Sequence, residues 1–116
     1  MILIAGTLDL EPEDREAALE AGRELQTRTR RLPGCLDYVW SADPAVPGRV
    51  YVFERWADEA SLRAHFEGPL YWDMRKVLGQ FKKRAVDVAK YRVDLKEPVY
   101  DPEGTPRADF FTEKGS

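Results

Sequence analysis

The order of predicted elements along the chain, strand, helix, strand, strand, helix, strand, predicts an α+β domain with the ferredoxin-like βαββαβ fold. Three observations support this prediction. Strand-like segments rich in β-branched and aromatic residues alternate with helix-like segments, and only a short loop separates the second and third strands, as in an antiparallel hairpin. The 116 residues suffice for one domain with its own core. The expected sheet has four antiparallel strands, with helices on one face.

The first strand is predicted over residues 1–10, because Ile2–Ala5 is apolar on both faces, as in a strand that is covered on both sides. Gly6 within it indicates a bulge or a close approach by a ligand or another backbone segment. The first helix is predicted from Pro12 to about Leu32. Proline suits the first helical position, and the neighbouring acidic residues suit the positive end of the helix dipole.

The second strand is predicted over Cys35–Ala42, and a loop of turn-forming residues over 43–48 leads to a third strand over 49–56. Alternation along the second strand places three side chains on one face: Leu36, Tyr38 and Trp40. The short connection predicts that the two strands pair as an antiparallel hairpin.

Asp58 is the predicted N-cap of a second helix, which runs from Glu59 to about Glu67. A Gly-Pro pair at 68–69 interrupts this helix, and a further helical segment is predicted from Leu70 to about Leu78. The last strand is predicted over Ala85–Asp94. These elements complete the predicted domain, residues 1–94.

Bulky apolar side chains occur on both faces of the predicted strands, whereas the helices can cover only one face. The uncovered face predicts a second copy of the chain, packed against it as a homodimer. Residues 95–116 form a C-terminal tail in which proline and glycine exclude regular structure. Two alternatives stay open for this tail: disorder, or docking of the part that carries Tyr100, Phe110 and Phe111, for example on the partner subunit.

Composition excludes several classes of function. The 18 basic and 21 acidic residues give a net charge of −3, so a nucleic-acid partner is not expected. No apolar run long enough to span a membrane and no leader segment is visible, which predicts a soluble, cytoplasmic domain. Cys35 is the single cysteine and His65 the single histidine, so neither a disulfide nor a conventional zinc site is expected.

Four short motifs and the residues that follow the last of them resemble those of antibiotic biosynthesis monooxygenase domains, in the dimeric α+β barrel superfamily. The resemblance covers about Ile2–Val93 and rests on Ala5-Gly6-Thr7-Leu8, Pro33-Gly34-Cys35-Leu36, Ser41-Ala42-Asp43-Pro44, Phe53-Glu54-Arg55-Trp56 and the run with Leu62, Ala64, His65 and Phe66. It implies a homodimer whose sheets pack face to face, with an apolar pocket between sheet and helices in each subunit. Members with known activity oxidise quinols, anthrones or related polyketides with O₂, without metal or flavin, and a separate branch degrades haem.

His65 is the candidate catalytic residue, because imidazole, with an unperturbed pKa of about 6.5, is the side chain best suited to act as a base near neutral pH. The alternative is a helix histidine that only packs. By resemblance, Trp56 matches the tryptophan that lines the pocket in polyketide-oxidising members. The remaining candidate substrate-binding residues are Tyr51, Trp40, Tyr71, Trp72 and, for an anionic substrate, Arg75. Their alternative roles are packing in the core or the dimer interface and, for the arginine, solvation or ion pairing.

The sequence departs from the family pattern at four positions. Polyketide-oxidising members carry an asparagine and a tyrosine where spacing places Val52 and Leu62 here. The haem-degrading branch carries a histidine ligand and an asparagine where this chain has Arg75 and Gly6. Because arginine stays protonated, it cannot act as an ordinary haem ligand, and haem is not the expected ligand.

The function predicted from these residues is a cofactor-independent monooxygenase that oxidises a quinol-like or polyketide-type aromatic with O₂. The chemistry requires a substrate that ionises and a pocket that excludes water from reactive intermediates. Two alternatives stay open: a non-oxidative binding or isomerase-type protein that uses the same pocket, and a stress-response or structural dimer without catalysis. No cofactor, no metal and no membrane partner is expected.

Overall fold

The computed structural model describes residues 1–112, which form one antiparallel sheet with strand order β2-β3-β1-β4 and three helices on one face. The predicted βαββαβ order is confirmed. A short 3₁₀ turn, Pro12–Asp14, leads into the first helix. The elements are β1 (Ile2–Leu10), α1 (Arg15–Thr29), β2 (Cys35–Ala42), β3 (Arg49–Trp56), α2 (Glu59–Glu67), α3 (Pro69–Leu78) and β4 (Lys83–Arg92).

The first helix ends earlier than predicted, at Thr29 rather than near Leu32. The chain tightens into i→i+3 hydrogen bonds, in which the N–H of Arg31 donates to the carbonyl of Arg28 and that of Leu32 to Thr29. The proline at 33 explains this, because its ring disfavours helical geometry at the preceding residue. The last strand also begins and ends two residues before the predicted limits, at Lys83 and Arg92.

The second strand contains an irregularity that alternation did not predict. Its pairing with β3 shifts register between Cys35 and Asp37, as at a β-bulge. The side chain of Leu36 is 48% exposed, so it does not share the buried environment of Tyr38. The bulge explains why the expected face holds Tyr38 and Trp40 but not Leu36.

Gly6 allows β4 to approach β1 closely. Its φ is +155°, and a Cβ at this position would lie 2.0 Å from the backbone oxygen of Asp87 on β4. A side chain at residue 6 would therefore push β4 away from the sheet. Of the expectations for this glycine, the close approach of another backbone segment is the one observed.

The helix-covered face of the sheet holds two apolar clusters. One lies at the Trp56 end and includes Ile2, Tyr38, Trp56, Leu62 and Met74. The second, here called the Leu10 cluster, consists of Leu8, Leu10, Ala18 and Val50. Every residue of β4 is exposed, because the helices extend over β2 and β3 but not over this edge strand.

The opposite face of the sheet, here called the outer face, is uncovered in the single chain. Several of its large side chains are partly exposed, among them Val39, Tyr51, Phe53 and Tyr91. Two ion pairs lie near its ends, Arg49 with Asp9 and Arg55 with Asp37. The outer face is thus an apolar surface bordered by paired charges.

Residues 95–112 form turns instead of a helix or a strand, with one isolated β-bridge between Tyr100 and Pro106. Asp101 organises the turn by accepting hydrogen bonds from the N–H groups of Glu103 and Thr105. Glu97 accepts from the N–H of Thr112 at 2.9 Å. The end of the predicted tail, 113–116, lies outside the described residues. Within residues 1–112, no helix combines the length and apolar character that crossing a membrane requires.

Candidate active site

A cavity of about 280 Å³ lies between the sheet and helices α2 and α3. All four strands contribute to its wall, which is mostly aliphatic and aromatic. The ionisable side chains that interrupt this apolar lining are those of Tyr38, Glu54, His65, Tyr71, Arg75 and Lys83. The site, here called the His65 cavity, is thus apolar with a few polar groups, as ligand pockets commonly are.

His65 is buried, with 4% of its surface exposed, on the inward side of α2. Its ring stacks on Trp56, with ring centroids 4.7 Å apart, and contacts the edges of Tyr38 and Tyr71. Burial lowers the pKa of His65 to about 4, so the imidazole is neutral near pH 7. Its Nδ1 atom is buried and makes no hydrogen bond within the described residues. A neutral imidazole with a free nitrogen can accept or donate one hydrogen bond to a ligand.

Glu54 is a site residue that the sequence analysis did not select. Its side chain is 6% exposed and lines the His65 cavity. The indole N–H of Trp56 donates to its Oε1 at 3.0 Å. Burial raises the pKa of Glu54, and the hydrogen bond from Trp56 opposes this rise. The sequence did indicate that Glu54 faces inward, because it occupies the same side of the strand as Val50, Val52 and Trp56.

Trp40 is held in place through its backbone. Its N–H donates to Oε1 of Gln26 at 3.0 Å, and its carbonyl accepts from Nε2 of the same side chain at 3.3 Å. The indole Nε1 of Trp40 is buried and makes no hydrogen bond within residues 1–112. The indole N–H of Trp40 nevertheless opposes the rise in pKa of both Glu54 and Tyr38, so it lies near both groups. Helix α1 therefore fixes β2 with this N–H close to a buried carboxyl group and a buried phenol.

Tyr71 and Arg75, on α3, complete the set of predicted residues that the structure brings together at the cavity. The guanidinium of Arg75 lies 6.0 Å from the ring centroid of Tyr71 and 5.3 Å from that of Trp72. Arg75 has no carboxylate partner among residues 1–112. This cation therefore remains free to attract an anionic ligand.

Three predicted residues do not line the cavity. Trp56 is fully buried behind His65, where it supports the imidazole and Glu54. Trp72 is 52% exposed on the outside of α3, and Tyr51 is 47% exposed on the outer face of the sheet. Tyr51 alternates with Val50 and Val52, both of which are buried on the helix-covered face.

A metal centre has no counterpart in the described part of the chain. Residues 1–112 contain no group of three or more His, Cys, Asp or Glu side chains arranged to hold a metal ion. Cys35 is half-buried, and burial raises the pKa of its thiol to about 11, so it is neutral near pH 7.

Sequence comparison identifies the family. The family model described as antibiotic biosynthesis monooxygenase matches residues 1–77, which is more than half of the chain. The chain belongs to this family. A curated relative, an uncharacterized protein of Synechocystis, is 22% identical over 92 residues, which are 79% of this chain and 63% of that protein. The chain thus spans less than two thirds of the length of this relative.

Solved structures share the fold of this antibiotic biosynthesis monooxygenase family member. A candidate family member from Deinococcus radiodurans matches with a TM-score of 0.77 at 21% identity, covering 87% of this chain and 100% of that chain. One from Nitrosomonas europaea gives 0.73 at 19% identity, with coverages of 82% and 100%. A Mycobacterium tuberculosis protein gives 0.70 at 26% identity, with coverages of 83% and 96%. These likenesses support a monooxygenase-type fold.

Proposed function

We propose that the chain is a cofactor-independent monooxygenase that oxidises a quinol-like or polyketide-type aromatic with O₂. One observation carries the proposal beyond family membership. Two residues that line the His65 cavity carry buried polar atoms that make no hydrogen bond within residues 1–112, Nδ1 of His65 and Nε1 of Trp40. Buried polar atoms normally have hydrogen-bond partners, so a bound ligand with a polar group is the expected partner.

The size and lining of the cavity favour a small aromatic substrate. Its volume of about 280 Å³ lies just below the usual range for ligand pockets, which begins at about 300 Å³. The aromatic side chains of Trp40 and Tyr71 can pack against a ring, and the wall around them is mostly apolar. A substrate that fills the cavity displaces water from this wall, which protects the radical and peroxide intermediates that arise when an ionised aromatic reacts with O₂.

Each site residue has a role in this proposal. His65 acts as base or proton shuttle for the substrate hydroxyl, and its low pKa means that a proton does not remain on it. Arg75 attracts the anionic form, while Trp56 orients the imidazole. The ionised substrate passes an electron to O₂, and the radical pair combines to a peroxide. The peroxide forms on a carbon that still carries hydrogen and is protonated at its outer oxygen. Loss of the proton on that carbon with cleavage of the O–O bond leaves a C=O group in the product and releases water, so the substrate supplies all four electrons.

The test is oxygen uptake by chelator-treated protein with hydroquinones, naphthoquinols and anthrones, corrected for autoxidation. We expect protein-dependent uptake with one substrate class, and its loss in His65→Ala. The matched control is Tyr51→Phe, which changes an aromatic residue on the outer face and should keep the activity. Absence of uptake across the panel would contradict the oxidase proposal and favour non-oxidative binding or isomerisation. Unchanged rates in His65→Ala would exclude His65 as the base.

We further infer that two copies pack through the outer face as a homodimer. The exposed apolar side chains of Val39, Phe53 and Tyr91 support this inference, because soluble monomers rarely leave such a continuous surface uncovered. Light scattering should give twice the chain mass, and Phe53→Asp should shift the protein to monomer. Val46→Asp, in the exposed loop, is the matched control. A wild-type monomer at micromolar concentration would refute the dimer.

A further inference from the structure

We propose that Glu54 and Trp40 form a recognition pair for an aromatic hydroxyl group, in which Glu54 accepts the hydroxyl proton and the indole N–H of Trp40 stabilises the oxygen that remains. The inference rests on the proposed function in one respect, since it concerns the same aromatic ligand in the same cavity. It adds the group that takes the proton and the chemical feature that the ligand must carry.

The sheet register brings the two side chains together. Glu54 on β3 pairs with Tyr38 on β2, and Trp40 pairs with Val52. Trp40 and Glu54 are therefore diagonal neighbours on the same face of adjacent strands, within reach of long side chains. Both line the His65 cavity. A ligand oxygen bound at this part of the wall would lie near both side chains.

The hydrogen-bonding capacities of the pair match a hydroxyl group. An ionised carboxylate only accepts hydrogen bonds, and an indole N–H only donates. A hydroxyl can donate to Glu54 and accept from Trp40 at the same time. A carbonyl would leave the carboxylate without a donor from the ligand, and a ligand carboxylate would be repelled by Glu54. The unpartnered N–H of Trp40 is thus completed by a ligand oxygen that also carries a proton.

The remaining titratable groups around Glu54 accept this proton less readily, and of the two roles proposed for His65 this leaves that of proton shuttle. On β2, burial raises the pKa values of Tyr38 and Cys35, so both stay neutral, and His65 on α2 is also neutral near pH 7. The wall segments from β1 are apolar. The cations at the wall are Arg75 on α3 and Lys83 on β4, and within residues 1–112 neither forms an ion pair with Glu54.

The proton transfer is balanced within the site. The O–H bond of the ligand breaks, its proton binds a carboxylate oxygen of Glu54, and the electron pair stays on the ligand oxygen. The net charge of the cavity does not change, so the step requires no new charge in an apolar environment. Burial, which raises the pKa of Glu54, brings its basicity closer to that of a phenol than that of an exposed carboxylate.

The test uses 4-nitrophenol, whose ionised form absorbs visible light. Above the pKa values of both the free probe and Glu54, binding of the anion beside the carboxylate requires uptake of one proton from solution. Calorimetry in two buffers of different ionisation enthalpy measures this uptake, and we expect about one proton per site. The affinity should fall about tenfold per pH unit in that range. In Glu54→Gln, both the uptake and the pH dependence should disappear.

Three controls keep the outcome specific. Glu67→Gln removes an exposed carboxylate from α2 and should behave as wild type. Trp40→Phe should weaken binding about fivefold while proton uptake persists. With wild-type protein, 4-nitroanisole, which carries no hydroxyl proton, should bind more weakly and take up none. This ligand control needs no variant, and it shows that the proton taken up is the one on the ligand oxygen. If Glu54→Gln fails to fold, absence of proton uptake by the wild type still overturns the proposal.

The proposal is overturned if wild type takes up no proton, if Glu54→Gln takes up one as wild type does, or if 4-nitrophenol shows no saturable binding. The experiment involves no O₂ chemistry. Proton uptake without any oxygen consumption would retain the recognition pair and reject the monooxygenase. Oxygen consumption without proton uptake at Glu54 would retain the monooxygenase and reject the pair.

Discussion

The two halves of the helix-covered face differ in how completely they are filled. Around the Leu10 cluster, the enclosed space is about 10 Å³, and the surrounding side chains are mostly aliphatic. The His65 cavity, a few residues along the same strands, holds about 280 Å³ and includes the buried groups Glu54 and His65. A space of 10 Å³ is about the volume that one water probe occupies, whereas the larger one accommodates an organic ligand.

The difference indicates that stability and function are separated along the strands. β1 and β3 contribute small and branched apolar residues at one end, where close packing maximises burial. At the other end, the same strands enclose polar groups whose burial is unfavourable without a ligand. Proteins commonly accept such a local loss of stability at a functional site.

The largest expected effect is in the Leu10 cluster. Leu10 is 1% exposed, so Leu10→Ala should lower the free energy of unfolding by about 3 kcal/mol, through lost burial and the cavity left behind. Denaturant unfolding at fixed protein concentration measures this loss. Leu8 of this cluster also lines the His65 cavity, but Leu10 does not, so 4-nitrophenol binding by the folded variant should be retained.

Leu36→Ala is the matched control for this truncation, since Leu36 is 48% exposed and its loss should change stability by less than about 0.5 kcal/mol. Equal losses in the two variants would contradict the assignment of stability to the Leu10 cluster. A loss of binding in folded Leu10→Ala would show that the two halves are coupled.

The second expected effect is a pH dependence of the free energy of unfolding, which originates in the His65 cavity. The pKa of His65 is about 4 in the folded chain and about 6.5 when unfolded, so the unfolded state binds more protons between these values. Stability should therefore fall as the pH is lowered, by about 2 kcal/mol between pH 7 and pH 5. Unfolding measured across this window should show a smaller fall in His65→Phe, which retains an aromatic ring against Trp56.

The range from pH 7 to pH 5 distinguishes the effect of His65 from that of carboxyl groups with lowered pKa values, such as Asp9 and Asp58. These carboxyl groups lose their contribution to stability only at lower pH. An equal fall in His65→Phe and wild type would show that the imidazole is not neutralised by burial. It would also remove the argument that a proton cannot remain on His65.

The fold was predictable because local patterns and topology agree. Alternation in Val50, Val52 and Trp56 identifies a strand with one buried face, and the short loop after β2 identifies a hairpin. Leu36 was misplaced because a bulge adds a residue that a strict two-residue period does not anticipate. The early end of α1 follows from the proline at 33, so it could have been predicted from the sequence.

The candidate site was predictable in part. Trp40, His65, Tyr71 and Arg75 were selected as aromatic or ionisable residues on the right elements, and all of them line the cavity. Selection by residue type alone does not distinguish the two faces of a strand or helix, which is why Trp72 and other exposed aromatic residues were selected as well. Glu54 was missed because a charged residue in a strand usually faces solvent.

The smallest expected effect on the free energy of unfolding is that of Glu54, and its pH dependence is opposite in sign to that of His65. Burial raises its pKa, so the folded chain binds the proton more tightly than the unfolded chain, and stability falls as the pH rises above about 4.5. Glu54→Gln removes this penalty and should stabilise the protein at pH 8, with no gain near pH 4. Thermal unfolding at the two pH values measures the difference.

Glu67→Gln again serves as control, because an exposed carboxylate should have almost no effect on stability. If Glu54→Gln were instead less stable at pH 8, the hydrogen bond from Trp56 would outweigh the cost of burying the charge, and Glu54 would be a structural residue. A gain in stability together with a loss of proton uptake on 4-nitrophenol binding would show that the carboxylate lowers the free energy of unfolding and is nevertheless required for ligand recognition.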